Sequence, residues 1–191
     1  MDRKSFIISI SAAILSAPLD ALAGKSGKCA PGNEAASKNL VAYFSRLGST
    51  RATARQIAMK NGADIFEIKT RIPYTDDYDK LVKQTYRELE DGFFPELASE
   101  IPDLSQYGAV YIGYPVWCTD IPPAVQSFLK KCNLSGKAVF PFCSYYSTKW
   151  GKSMNTLERL CPKSKIADGL AVKGISEKSI REDVNAWLGD S

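Results

Sequence analysis

The chain contains no histidine. Histidine is the commonest metal ligand and the side chain that titrates nearest neutral pH, so histidine acid–base catalysis and histidine metal ligation are both excluded. Cysteine is sparse: Cys29, Cys118, Cys132, Cys143 and Cys161 include no close pair of the kind a zinc site needs. No metal is expected. No Gly-x-Gly-x-x-Gly occurs, so nothing marks a nicotinamide site. Dense basic runs and nucleic-acid motifs are also missing, and no nucleic acid is expected as a partner. There is no internal repeat and no sign of a second domain.

Long apolar runs are missing too, except at the start. Arg3 and Lys4 precede an apolar stretch from Phe6 to Leu15, and Ala21-Leu22-Ala23 has the form of a small-residue cleavage site. That order reads as a signal peptide over residues 1–23, too short for a stable membrane span. Asp2-Arg3-Lys4-Ser5-Phe6-Ile7 also resembles a twin-arginine signal with Lys in place of the second Arg. Export to the periplasm is therefore expected, by that route or the general secretory one, with no stable membrane span after cleavage. Residues 24–37, rich in Gly, Ser, Lys and Ala, read as a flexible leader. The remainder, 38–191, is one domain. Its composition, 45% hydrophobic and 24% charged over the whole chain, is that of an ordinary soluble protein with a full core. The net charge of +4 is unchanged by cleavage, because Arg3 and Lys4 leave with Asp2 and Asp20. That balance suits anionic small molecules.

The domain is organised around Asn39–Arg51. Leu40 to Phe44 form a continuous apolar run, as a strand covered on both faces would. The run stops at Ser45, turns at Gly48, and gives way to a helical pattern with Ala54, Ile57 and Ala58 on one face. Strand, hydroxyl-rich turn and helix N-terminus together make a phosphate site: free N–H groups and the helix dipole favour an anion, and Ser45, Ser49 and Thr50 add hydroxyls. The plain alternative is a strand–turn–helix connection capped by Ser49 or Thr50.

Further along, Ala63–Ile68 reads as an edge strand. Within the polar insertion 70–104, a helix carries Tyr78, Leu81, Val82, Thr85 and Leu89, with Thr75 or Asp76 placed to cap it. Tyr107–Gly113 and Lys137–Cys143 read as buried strands. Pro122 and Pro123 open a helix whose inner face is Val125, Phe128, Leu129 and Cys132. Met154, Leu157, Leu160 and Cys161 mark another helix, ended by Pro162. Ile166–Val172 reads as the last strand, interrupted by Gly169. Ile180, Val184, Trp187 and Leu188 make the final helix. Strands thus alternate with helices, five of each, which implies a three-layer α/β fold around a doubly wound parallel sheet.

Ser45-Arg46-Leu47-Gly48-Ser49-Thr50 resembles the phosphate loop of flavodoxin-like proteins, with Leu47 where a hydroxyl is usual. Gly113-Tyr114-Pro115-x-Trp117 resembles one branch of that family, as do Ile72-Pro73-Tyr74 with Tyr78 and Pro141-Phe142-Cys143. The resemblance covers about Lys38 to Leu188. It departs at Cys118, Thr119 and Asp120, where a second aromatic and then Gly are usual, and at Tyr145-Tyr146, where Gly-rich residues are. It implies the strand order 2-1-3-4-5, which brings the loops Ser45–Arg51, Tyr114–Ile121 and Ser144–Gly151 around one crevice. It implies FMN, bound without a covalent link. Ser45, Arg46, Leu47, Gly48, Ser49 and Thr50 would hold the phosphate, and Pro115, Val116, Trp117, Cys118 and Thr119 would run along the isoalloxazine. Trp117 is the candidate to stack on the ring. Tyr146 or Trp150 would close the other side, within the third loop, where Ser144, Tyr145 and Gly151 also lie.

No side chain is assigned a catalytic role. The leading expectation is an FMN-dependent oxidoreductase acting on a small electron acceptor such as a quinone. The alternatives are a one-electron shuttle serving a redox protein and a flavin-free binding protein on the same scaffold. A phosphorylation switch of this architecture would need acidic residues where Ser45 and Tyr114 stand, and a small phosphatase would need a cysteine in place of Ser45. A disulfide among the cysteines is compatible with export, but the pairing is not readable. Packing is the expected role of Cys132 and Cys161.

Overall fold

The computed structural model describes residues 38–173 and 176–189. The expected signal peptide (1–23), the leader (24–37) and Cys29 lie outside them. The elements in chain order are β1 (Lys38–Tyr43), α1 (Ser49–Asn61), β2 (Asp64–Glu67), α2 (Tyr78–Glu90), a short 3-10 turn (Leu104–Gln106) and β3 (Tyr107–Pro115). They continue with α3 (Pro123–Lys131), β4 (Ala138–Tyr145), α4 (Ser153–Leu160), β5 (Lys165–Ile166), β6 (Leu170–Lys173) and α5 (Glu177–Leu188). The strand order is β2-β1-β3-β4-β5, with β6 also pairing β4, and every pairing between named strands is parallel. This is the doubly wound sheet expected from the alternating pattern.

Side-chain alternation along the central strands separates two cores. Leu40, Ala42 and Phe44 with Val110, Ile112 and Tyr114 face one layer, completed by Ala124, Val125, Phe128 and Leu129 of α3 and Leu157 of α4. Val41, Tyr43, Ala109 and Tyr111 face the other, under Ala54, Ile57 and Ala58 of α1 and Ile180 and Val184 of α5. Each fully buried Leu, Ile, Val or Phe contributes about 1.5–3 kcal/mol relative to exposure, so these two layers fix the strand ends in space.

Four boundaries differ from expectation. The last strand is two strands, β5 and β6. At the break, a Cβ on Gly169 would lie 2.6 Å from Trp150 Cη2 and 2.8 Å from the Pro141 carbonyl, so the Trp150 indole occupies the space a side chain would need. The cap of α2 is neither Thr75 nor Asp76: Asp77 accepts the Lys80 N–H at 3.0 Å, while Thr75 Oγ1 accepts the Asp77 N–H one step earlier. Finally, β3 runs on through Pro115 and β4 through Tyr145, so Pro115, Ser144 and Tyr145 are strand residues rather than loop residues. The register pairs Pro115 with Ser144, which sets the two neighbouring loops side by side.

Candidate functional site

The C-terminal ends of β1, β3 and β4 carry the loops that converge. At β1, Ser45 begins the turn: its Oγ accepts the Gly48 N–H at 3.1 Å, which leaves the hydroxyl proton free to donate outward. Gly48 has φ +97° and serves as the N-cap of α1 with no side-chain cap. That left-handed conformation is one glycine adopts without a Cβ penalty. Neither Ser49 nor Thr50 caps the helix, contrary to the plain alternative. Ala52 N donates to the Gly48 carbonyl, and the first-turn amides ahead of it face outward, as at any helix start. There is no acidic residue in that turn to occupy them. Arg46 adds cationic charge. Its guanidinium donates from Nη2 to the Asp76 carbonyl at 2.5 Å, and its buried Nε has no hydrogen-bond partner. A buried unpaired donor costs about 1–3 kcal/mol, and Arg46 stands two residues before Gly48, the N-cap of α1 that has no side-chain cap. The combination suits a phosphate. Leu47, in contrast, is 81% exposed and brings no donor.

Thr50 is buried, with its Oγ1 2.8 Å from Ser144 Oγ; either hydroxyl can donate. It therefore ties the first loop to the end of β4. When Ser144 donates, the Thr50 proton remains available to a ligand. Beside it, Arg51 Nη2 pairs with Glu67 Oε1 at 2.6 Å, and Lys69 approaches the other carboxylate oxygen at 3.3 Å. Burial acts to raise the Glu67 pKa, but the hydrogen bonds from Arg51 and Lys69 outweigh it and hold the carboxyl below its ordinary value. That keeps Glu67 anionic and its two cations occupied.

The second loop is a tight reversal. Trp117 and Asp120 exchange both backbone hydrogen bonds, at 3.0 and 2.8 Å. Cys118 and Thr119 between them have φ +47° and +65°. Positive φ at both central residues is the type I′ signature, a role normally taken by Asn-Gly. The Asp120 carboxylate braces it, accepting from the Ile121 N–H at 2.7 Å and from Thr156 Oγ1 at 2.9 Å. Lys152 N donates to the Thr119 carbonyl at 2.6 Å, and a Cβ on Gly151 would lie 2.2 Å from that same oxygen. Loops two and three are thus clamped together, and only glycine fits at 151. Val116 N donates to the Ser144 carbonyl at 2.9 Å, completing the link.

Trp117 is half-buried and held edge-on by two rings, Phe44 at 5.2 Å and Tyr74 at 5.0 Å. Tyr74 in turn donates to Glu88 Oε2 at 2.7 Å, and Gln84 Nε2 donates to Glu88 Oε1 at 2.7 Å. Burial, reinforced by the Glu88 carboxylate, pushes the Tyr74 phenol far up, so it stays protonated. Cys118 Sγ lies 3.9 Å from the Val82 carbonyl, and burial pushes its thiol up as well, so it is no thiolate nucleophile at neutral pH. The insertion thus braces both the indole and the reversal. At the end of β4, Tyr145 packs on the core; in the loop after it, Tyr146 is 93% exposed and Trp150 is half-buried against Gly169. Ser144 and Gly151 are built into the clamp, while the Trp150 ring lies over Gly169, between β5 and β6.

The profile of a family described as flavodoxin matches residues 38–191, which takes in all the described residues. The chain belongs to the flavodoxin family. Solved structures agree on the fold. A protein assigned as a flavoprotein from Bacteroides uniformis ATCC 8492 is 27% identical, aligns over 76% of this chain and 96% of its own, and superposes with a TM-score of 0.69. One from Bacteroides eggerthii DSM 20697 is 28% identical over 81% of this chain and 100% of its own, with a TM-score of 0.68. A flavoprotein from Lactobacillus acidophilus NCFM, solved in complex with FMN, is 21% identical over 81% of this chain and 100% of its own, with a TM-score of 0.65. No curated protein matches the chain.

Some features of this flavodoxin site lay beyond sequence reading. The Asp76 carbonyl that holds Arg46, the Asp120–Thr156 brace and the Glu88–Tyr74 support join residues far apart in the chain. The local signal for the reversal was absent, because Cys-Thr is not a turn dipeptide.

Proposed function

We propose that this chain is an FMN-dependent electron-transfer protein that reduces a small acceptor such as a quinone, and that it works outside the cytoplasm. The observation that carries the flavin reading is the unpaired, buried Arg46 Nε in the turn that leads into the uncapped start of α1. Bound FMN would supply the redox chemistry, since no side chain of the site is suited to it. The residues present fit its phosphate: the α1 amides and Arg46 carry the charge term, and the outward proton of Ser45 adds a donor. Trp117 would offer its indole to the flat ring, with Phe44 and Tyr74 keeping it in one orientation. The clamp between Thr119, Gly151 and Lys152 would hold the backbone against which the ring lies. The FMN complex of the Lactobacillus relative supports the same assignment by shared fold.

A protein redox partner is a second reading. Leu47 and Tyr146, on two of the converging loops, are 81% and 93% exposed, and apolar groups at a site rim suit a protein contact. Among the described residues, no helix is long and apolar enough to cross a membrane. The purified protein should show flavin absorption in the visible, or acquire it with FMN, and should turn over a soluble quinone with a soluble reductant. Flavin bound but no turnover favours the protein partner. No flavin spectrum under either condition removes the reading. The export reading rests on the N-terminal sequence, and a chain from the periplasm should begin at Gly24; Met1 retained there would contradict it.

A further inference from the structure

Away from the flavin site, α3 and α4 end in the same way. Cys132 is the C-cap of α3 and Cys161 is the C-cap of α4. The segments that follow them are laced together: Gly136 N donates to the Lys163 carbonyl at 2.8 Å, Lys165 N to the Lys137 carbonyl at 2.9 Å, and Ser164 Oγ to the Leu134 carbonyl at 2.8 Å. Both cysteines line one cavity of about 160 Å³, together with Leu129, Leu134 and Leu160. The other described cysteines are engaged elsewhere, Cys118 Sγ with the Val82 carbonyl and Cys143 Sγ with the Lys149 carbonyl.

We infer that Cys132 and Cys161 form a disulfide when the chain folds under oxidising conditions, fastening the C-terminal end of α3 to that of α4. The pairing is independent of flavin binding. Each thiol gives up a proton, and the pair gives up two electrons as the S–S bond forms. A low-molecular-weight disulfide such as oxidised glutathione accepts them by exchange and leaves as two thiols.

Burial pushes the Cys132 thiol up to about 12, with the nearby Cys161 adding to it, and the Cys161 thiol up to about 11. In the folded chain the thiolate is therefore scarce at neutral pH and exchange is slow. The bond forms during folding and then persists, which makes it a structural link rather than a reversible switch. Packing, the role expected from sequence, accounts for the burial of these residues but not for two cysteines lining one cavity at matched helix ends.

The test is to refold the full chain from denaturant in a buffer of reduced and oxidised glutathione, trap free thiols by alkylation, and map tryptic peptides by mass. The expected product links peptide 132–137 to peptide 160–163 and leaves three of the five cysteines alkylatable. The oxidised chain should melt several degrees above the reduced one, and that difference should vanish in Cys132→Ser. Five alkylated cysteines, or a dominant link involving Cys29, Cys118 or Cys143, would overturn the inference. Because the mapping uses the unsubstituted chain, a folding defect in the serine variant does not affect it.

Discussion

Single residues at the site have bonding that is incomplete without a ligand, or are held in place for one. Arg46 has a buried donor with no acceptor, and Trp117 is fixed on two edges by other rings. An aromatic contact contributes about 0.5–1.5 kcal/mol beyond area burial. Trp117→Ala should therefore weaken FMN about 5- to 10-fold in fluorescence titration and shift its reduction potential, while Trp117→Phe retains most of the affinity. Unchanged affinity and potential in the alanine variant would assign the indole to the core alone. Charge pairing gives a second residue-scale expectation. The Glu67 carboxyl is held below its ordinary value of 4.5, so the unfolded chain takes up that proton first as pH falls. Its contribution is complete above the unfolded-state value and is lost as pH drops through the folded one. With the side chains of Arg51 and Glu67 still 38% and 23% exposed, that contribution is below about 1 kcal/mol. Glu67→Gln should lower the urea midpoint slightly at pH 7, and the difference from the unsubstituted chain should shrink as the pH falls below the ordinary carboxylate value.

Elements set what these residues can do, and here the clamp between the second and third loops matters most. Gly151 has φ +54° and its absent Cβ would meet the Thr119 carbonyl at 2.2 Å, whereas Gly136, at φ +77°, has open space around it. Both alanine variants should incur the left-handed backbone cost of about 1–3 kcal/mol. Gly151→Ala should lose more stability in urea and also weaken FMN, because the clash displaces the reversal; equal losses would mean that the clamp is slack. Elements also divide what could be read in the chain from what could not. Strong periodicity made β1, α1, β3, α3 and α5 legible, since apolar runs and i, i+4 spacing are local. The ends of β3 and β4 were not legible, because they are set by pairing between strands: Pro115 with Ser144, Ser144 with Val172 and Tyr145 with Lys173. The split into β5 and β6 depends on Trp150, distant in sequence from Gly169. The same reason hid the Trp117–Asp120 reversal: Cys118 and Thr119 accept positive φ because Asp120, Thr156 and Lys152 hold the turn from outside.

For the whole molecule, the two packed layers on either face of the sheet bring the ends of β1, β3 and β4 to one edge, where an anion and a flat ring can be held together. The family assignment and the fold of the relatives agree with that architecture. Because FMN would bind only the folded chain, FMN at about 100 times its dissociation constant should add about 2.7 kcal/mol of stability, seen as a rise of several degrees in melting temperature. We propose that the Ser45–Thr50 loop holds the FMN phosphate, and calorimetric titration with FMN and with riboflavin decides it. A hydrogen bond to a charged group contributes about 1.5–3 kcal/mol. Riboflavin, which lacks the phosphate, should therefore bind far more weakly than FMN, and Thr50→Ala should weaken FMN about 10- to 100-fold while narrowing the gap between the two ligands. Equal affinity for riboflavin and FMN in the unsubstituted protein would contradict the account, leaving the loop as nothing more than the connection between β1 and α1.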